Sequence, residues 1–320
     1  MNKKFYVGVD VGGTTIKTAF IDERGEIHYK WEIPTDRTGK GKNIVKQISA
    51  SINEKSNEQE IADQLIAIGV GAPGFIDVVN GKIIEAVNIG WKDYPLKQAL
   101  EDAAQLPVFV DNDANLAAGG EMWKGAGEGA ENLLAVTLGT GVGGGVIAGG
   151  EIIHGESGMA GEIGHISSVT VGGAPCNCGK TGCLETVASA TGITRLGLEA
   201  LQANPSGRLQ EVFEETGTLT AKDIFDAAKS HDKLAEQVVN TSMSYLGFTL
   251  ANLANALNPK TIVIGGGVSK AGSFLIEQLE TEFKKYAIPK IGQDTIIRIA
   301  TLGNDAGVIG AAWLAKENTP

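Results

Sequence analysis

Cysteine is scarce in this chain of 320 residues: there are three, and all lie between Cys176 and Cys183. A disulfide-stapled secreted scaffold is thereby excluded, and thiols crowded into one loop point to a metal before a redox pair. Basic runs are absent as well. Lys and Arg total 27 against 38 Asp and Glu, a net charge of −11. Such a surface repels phosphate backbones, so no nucleic-acid partner is expected. Long apolar runs are also missing. The N-terminus reaches Asp10 before any signal-like stretch develops, and Leu133 to Gly149 is interrupted by Thr137, Thr140 and several glycines. Neither segment reads as a signal or a membrane helix, so a cytoplasmic protein with no membrane partner is expected.

Glycine, by contrast, is abundant. Its 44 residues are about twice the usual share, and twenty fall between Gly119 and Gly182. No G-X-Y period runs through them, which excludes collagen. At 42% apolar the chain can bury a core and is not disordered. Its length suggests two domains.

Hydrophobic patterning divides the chain into two similar halves. Lys4–Asp10, Thr14–Asp22 and Glu26–Ile33 read as short strands, with a turn at Asp22-Glu23-Arg24-Gly25. A helix is expected over Lys42–Glu54, a buried strand over Leu65–Gly71, a helix over Pro95–Ala104, a strand over Val108–Val110 and a helix over Asp113–Glu121. The pattern then restarts with strands at Leu133–Leu138, Val142–Ala148 and Glu151–Ile153. Helices follow at Thr186–Gln202, Thr220–Ser230 and Leu234–Leu257, then strand Thr261–Ile264, helix Ala271–Phe283 and strand Ile296–Ala300. A closing helix, Asn304–Lys316, would be capped by Asn304 or Asp305. Strand, glycine turn, strand, strand, helix, strand, helix thus occurs twice, which suggests a duplicated α/β protein with a ligand between the halves.

Two apparent phosphate motifs fail on context. Gly139-Thr-Gly141-Val-Gly143-Gly144 satisfies G-x-G-x-x-G, but a strand follows where a dinucleotide fold needs a helix. Ala174 to Thr181 fits a relaxed P-loop pattern but has no preceding strand and carries two cysteines. Asp10-Val-Gly12-Gly13-Thr14-Thr15 is more informative. Its glycines let backbone approach an anion, Thr14 and Thr15 offer hydroxyl donors, and Asp10 can hold Mg²⁺ through water. Gly139-Thr140-Gly141 offers a second cradle in the matching position of the second half. Gly265-Gly266-Gly267, between a strand and a helix, would bring bare backbone to a nucleotide.

Cys176-Asn-Cys178-Gly-Lys-Thr-Gly-Cys183 supplies three soft ligands, and His165 is the nearest upstream histidine. Together they are assigned to a closed Cys₃His zinc site, structural rather than catalytic. His28, His154 and His231 read as bystanders. In the strand-to-helix junction Val110-Asp111-Asn112-Asp113, Asp113 is placed either as a general base for a hydroxyl or, with Asp111 and Asn112, as a helix cap. Glu162 and Glu185 bracket the cysteine loop, and with Asn112 they would suit a polyol.

These pieces together resemble the ROK family of sugar kinases and repressors, within the actin-like ATPase superfamily, over essentially the whole chain. The most specific element is CxCGxxGCxE, from Cys176 to Glu185. Asp10–Thr14, Gly71-Ala-Pro-Gly74, Asn112–Asn115, Leu138–Gly145, Gly161–His165 and Ile264–Gly267 also match. The chain looks most like the glucokinases of Gram-positive bacteria. The resemblance implies a duplicated actin-like (ribonuclease H-like) ATPase fold with a ligand cleft between two domains. The smaller would span 1–115, completed by a C-terminal helix at 303–320; the larger would span 116–302 and carry the zinc knuckle. It implies phosphorylation of glucose by ATP with Mg²⁺, Asp113 taking the proton of the sugar 6-hydroxyl. Gly74, Asn112, Glu162, His165 and Glu185 would bind the sugar, His165 would also ligate zinc, and a homodimer is expected. The alternatives are a kinase for fructose, mannose or an N-acetylated amino sugar, or a non-catalytic sugar sensor. Family regulators carry a helix-turn-helix ahead of DxGGT, and only nine residues precede Asp10, so a kinase is expected.

Overall fold

The computed structural model describes residues 3–319. Apolar runs joined by tight turns begin the chain as an antiparallel meander of β1 (Phe5–Val11), β2 (Thr15–Asp22) and β3 (Ile27–Pro34). β1 is buried at every position except Asp10, whereas β3 alternates half-buried with exposed, as an edge strand wet on one face does. After α1 (Ile44–Glu58), β4 (Leu65–Ala72) lies parallel to β1. A separate three-stranded sheet follows, β5 (Phe75–Asp77), β6 (Lys82–Ala86) and β7 (Trp91–Tyr94). Then α2 (Leu96–Ala104) leads into β8 (Val108–Asn112), which completes the order β3-β2-β1-β4-β8.

α3 (Asp113–Lys124) closes the first half, and the second repeats the meander in β9 (Leu133–Leu138), β10 (Val142–Ala148) and β11 (Glu151–Ile152). A helical layer follows: α4 (Glu185–Ala188), α5 (Ala190–Ala203), α6 (Gly207–Thr216), α7 (Ala221–Lys229) and α8 (Lys233–Leu257). β12 (Thr261–Gly265), α9 (Ser273–Tyr286), α10 (Pro289–Asp294), β13 (Ile296–Ile299) and α11 (Ala306–Glu317) close the chain. The second sheet runs β11-β10-β9-β12-β13 and matches the first strand for strand, antiparallel pairs and parallel pairs alike. The internal duplication read from the sequence is therefore present in the topology.

The last helix of each half packs on the sheet of the other. α11 lays Val308, Ile309, Ala312 and Ala315 against Tyr6, Ala19, Ile21 and Ala67 of the first sheet. α3 lays Ala118 and Met122 against Leu133, Ala135 and Ile147 of the second. The two helices cross so closely that a Cβ at Gly310 would run into the Leu116 carbonyl. Two larger cores flank this pair, one around Val7, Ile48 and Ile68, the other around Leu134, Leu246 and Ile264. Among the described residues no helix is long and apolar enough to cross a membrane.

Several sequence expectations need correction. The helix expected over Thr186–Gln202 is two helices, because Ser189 takes an extended conformation and caps α5 by accepting from Gly192 N. The β5–β7 sheet escapes the pattern because its strands are only three to five residues long, too short for a clear period. α6 escapes it because Leu209 is its one buried residue, too little for a helical stripe. α10 begins at Pro289, which fits the first turn but shows no periodicity. α11 is not capped by a side chain: Asp305 precedes it, but its carboxylate pairs with Lys30 at 2.7 Å instead.

Candidate active site

The β1–β2 turn closes by Gly12 N donating to Thr15 O, and Thr35 braces it by donating its hydroxyl to the Gly12 carbonyl at 2.7 Å. Asp10 lies opposite Lys17 in the register below that turn. Both side chains line a cavity of about 560 Å³ between the two sheets. Asp10 belongs there for a steric reason also: a Cβ on Gly307, in the first turn of α11, would lie 2.9 Å from its Oδ2. Burial pushes the Asp10 carboxyl above its ordinary range, and the Lys17 ammonium opposes that shift.

At the β8–α3 junction the helix cap is Asn112, its Oδ1 accepting from Ala114 N at 2.9 Å and from Asn115 N, while its Nδ2 donates to the Gly74 carbonyl at 3.1 Å. Asp113 occupies the first helical turn and its carboxyl opens on the cavity. Its side chain reaches solvent through the mouth, yet the flanking protein still desolvates it. Desolvation first, then the negative charges of Asp10 and Glu162, push it up to about 6 against two local backbone donors. A carboxyl poised there is ionised at neutral pH and basic enough to take a proton from a hydroxyl.

The second half contributes backbone rather than carboxylates at its matching turn. Gly139 N donates to Gly141 O, and both residues line the cavity with Gly266. The N-terminus of α5 braces this turn, Ala190 N donating to Gly139 O and the Thr191 hydroxyl to Thr140 O. A helix N-terminus behind a glycine turn is a favourable place for an anion. Gly265, Gly266 and Gly267 line an adjoining cavity of about 530 Å³, and an apolar pocket of about 260 Å³ opens beyond Gly267 between Phe225, Val268 and Ala271.

The cysteine loop borders the same cavity. Nδ1 of His165 and the three thiols of Cys176, Cys178 and Cys183 all lie within 4.8 Å of one another. A tetrahedron with metal–sulfur bonds of about 2.3 Å has edges of about 3.8 Å, so the set fits one tetrahedral cation. Burial, reinforced by the other two cysteines, pushes the Cys183 thiol up to about 12, so a cation there would have to displace its proton. The two ring nitrogens of His165 face different groups. Nδ1 is 3.6 Å from Cys176 Sγ and Nε2 is 3.8 Å from the Glu162 carboxylate. Glu185 follows the loop directly, accepts from Val142 N at 3.0 Å and sits 3.9 Å from the Cys176 sulfur.

The ROK family profile matches residues 6–318. The chain belongs to the ROK family. It is 57% identical to a glucokinase of Halalkalibacterium halodurans, over 99% of this chain and 96% of that protein. A ROK hexokinase from Thermus thermophilus is 33% identical with a TM-score of 0.81, over 97% of each chain. A ROK family glucokinase from Streptomyces griseus in complex with glucose and AMPPNP is 34% identical with a TM-score of 0.76, over 98% of this chain and 100% of that one. The duplicated actin-like ATPase fold expected from the sequence is the fold of these ROK sugar kinases.

Of the residues singled out in the sequence, the cavity brings together Asp10, Asp113, Gly139, Gly141, Glu162, His165, Glu185 and Gly266. Gly74 and Asn112 join through their mutual hydrogen bond. Gly12, Gly13 and Thr14 of the β1–β2 turn, Thr15 at the start of β2 and Thr140 of the β9–β10 turn are not among its lining residues. Several lining residues carried no sequence signal. Lys17 hid in the alternation of β2, and Asn304 was read only as a cap, although its carbonyl faces Lys17 Nζ at 3.4 Å. Glu121 is buried on α3 and accepts from Leu302 N at 2.8 Å and Thr301 N at 3.2 Å, which pins the segment leading to Gly303 and Asn304. Nothing local marks a helical glutamate as that clamp. His154, read as a bystander, is instead held at 2.7 Å by the buried Asp111.

Proposed function

We propose that this ROK protein is an ATP-dependent glucokinase. The observation that carries the proposal is the Asp113 carboxyl, raised to about 6, opening on one cavity with Glu162, His165, Glu185 and the glycine turn Gly139–Gly141. Glucose would bind with hydroxyls donating to Glu162 and Glu185, and His165 Nε2 would complete that edge. Its 6-hydroxyl would give its proton to Asp113 Oδ while the oxygen attacks the γ-phosphate of ATP, and ADP leaves. Backbone N–H groups of the turns at Gly12–Thr15 and Gly139–Gly141, with Lys17, would hold the phosphates. The Gly265–Gly267 backbone would pass under the ribose, and the apolar pocket beside Phe225 would receive the base. Mg²⁺ accompanying the nucleotide would be held by Asp10 through water and would neutralise charge on the phosphates. Chemistry of this kind is positioning and charge stabilisation, so a closed, dry cleft is the main requirement.

The metal of the cysteine cluster is inferred to be zinc, from its three thiolates and one imidazole. It would leave no open coordination position and would act by fixing His165 and the start of α4. We infer two lobes that close on the sugar, one of residues 3–115 with 303–319 and one of residues 116–302; residues 1, 2 and 320 of that division lie outside the described residues.

A coupled assay with Mg-ATP and a panel of glucose, mannose, fructose and N-acetylglucosamine tests the function. Glucose should have the highest kcat/KM. No glucose 6-phosphate from purified protein would sink the reading, and a clear preference for another sugar would reassign the substrate.

A further inference from the structure

Asp111 is 1% exposed and lies two residues before the proposed base. Both oxygens of its carboxylate have partners. Oδ1 accepts from Asn112 N at 2.7 Å and Asn115 Nδ2 at 3.0 Å, and Oδ2 meets His154 Nε2 at 2.7 Å. The first two partners belong to the β8–α3 junction itself. His154 does not: it follows β11, in the other half of the molecule.

The segment that begins at His154 is tied into a loop, because Ala160 N donates to the His154 carbonyl at 3.0 Å. Gly158 in that loop is seated on β5, where an added Cβ would come within 2.8 Å of the Ile76 carbonyl. Gly161, Glu162 and His165 follow immediately. His154 thus anchors one end of the loop that delivers two sugar-facing side chains, and its anchor is the residue beside the base and its cap. The hydrogen bond to Asp111 raises the His154 pKa, so the pair favours the charged imidazolium. Removing one partner of a buried ion pair is strongly unfavourable, because it leaves an uncompensated buried charge. The pair lines a cavity of about 530 Å³ that shares no residue with the catalytic one; its other charged neighbours there are Lys97, Glu151 and Glu317.

We propose that His154 is a positioning residue: its ion pair with Asp111 straps the Glu162 loop to the strand that carries Asp113, and so sets the distance between the sugar-holding groups and the base. The proposal rests on the glucokinase reading. Misplacing such groups by about 1 Å can cost two orders of magnitude in rate without any change at the groups themselves. The strap joins the sugar side to the base and touches none of the nucleotide-facing turns. Its loss should therefore appear in glucose kinetics and not in ATP affinity.

The test is a double-mutant cycle of His154→Ala and Asp111→Asn on the full-length protein, reading kcat and the two KM values separately. Each single variant should raise KM for glucose at least tenfold and lower kcat, with KM for ATP within twofold of the wild type. The double variant should be no worse than the worse single, since one interaction is removed once. His154→Gln, whose amide can donate from near the Nε2 position, should recover most of the loss; it replaces His154→Ala in the cycle if the alanine protein does not fold. The proposal falls if glucose and ATP KM values rise together, if neither moves, if the single effects multiply in the double variant, or if glutamine behaves like alanine. Wild-type protein without turnover would instead sink the glucokinase reading, whereas an active wild type with indifferent variants would sink only the strap.

Discussion

The two halves of the molecule share one topology and divide the chemistry unequally. Where β1 and β8 of the first half end, they present Asp10, Asn112 and Asp113. The corresponding ends of β9 and β13 present Leu138 followed by the Gly139–Gly141 turn, and Ile299 followed by Ala300, with no carboxylate in either place. Acid groups come from one half and bare backbone from the other. The cavity-lining acids of the second half, Glu162 and Glu185, come instead from the long excursion between β11 and α5, which has no counterpart in the first half. Duplication thus supplies the cleft and the crossing helices, and departures from symmetry supply the reaction.

The sharpest way to break this contrast is at Asp113. Asp113→Ala or Asp113→Asn should lower kcat by about 10³-fold or more with circular dichroism unchanged. Near-normal turnover would move the base elsewhere. Asp113→Asn should also raise the melting temperature at pH 7. The folded pKa lies above the unfolded one, so the neutral form favours folding and that contribution is lost as pH rises through about 6. Removing the charge restores it.

The shared part of the comparison is tested at the helix crossing. Gly310→Val should destabilise by at least about 3 kcal/mol in chemical denaturation, because the backbone of α3 occupies the space. A neutral result would mean that the helices do not cross in contact. The proposed zinc would sit wholly in the second half. Removing it with a chelator should raise KM for glucose tenfold or more and leave KM for ATP within about twofold. Metal analysis should find close to one zinc per chain, and less than half would remove the assignment. The smallest effect is in the pH profile. kcat/KM should be flat above about pH 6 and fall toward tenfold per unit below it. Bound Mg²⁺ near Asp10 should shift that limb to lower pH by cancelling one of the charges that raise it. A limb unmoved by Asp113→Glu would mean that another group titrates.

Glycine shows where sequence reading reached and where it stopped. The motif Leu138–Gly145 does not by itself say which of its glycines face a ligand. Only Gly139, Gly141 and Gly143 line the cavity; Gly144 and Gly145 belong to β10, where added Cβ atoms would strike Ile163 and Ala118. They let α3 and the Glu162 loop lie close to the strand. Local sequence cannot separate a glycine that admits a ligand from one that admits a helix, because both requirements are for missing volume. Lys17, Glu121 and His154 were opaque for a related reason: each acts through a partner more than forty residues away or across the cleft.

The sequence by itself determined the ten strands of the two five-stranded sheets, the longer helices, the duplication, the family and the spacing of the His–Cys cluster. These follow from periodicity and short-range spacing, which the chain carries locally. Tertiary structure decided the rest. It gave Asn112 the cap and left Asp113 to the cavity, exchanged α3 and α11 between sheets, and joined Asp111 to His154. Those outcomes depend on which distant surfaces meet, and only packing sets that.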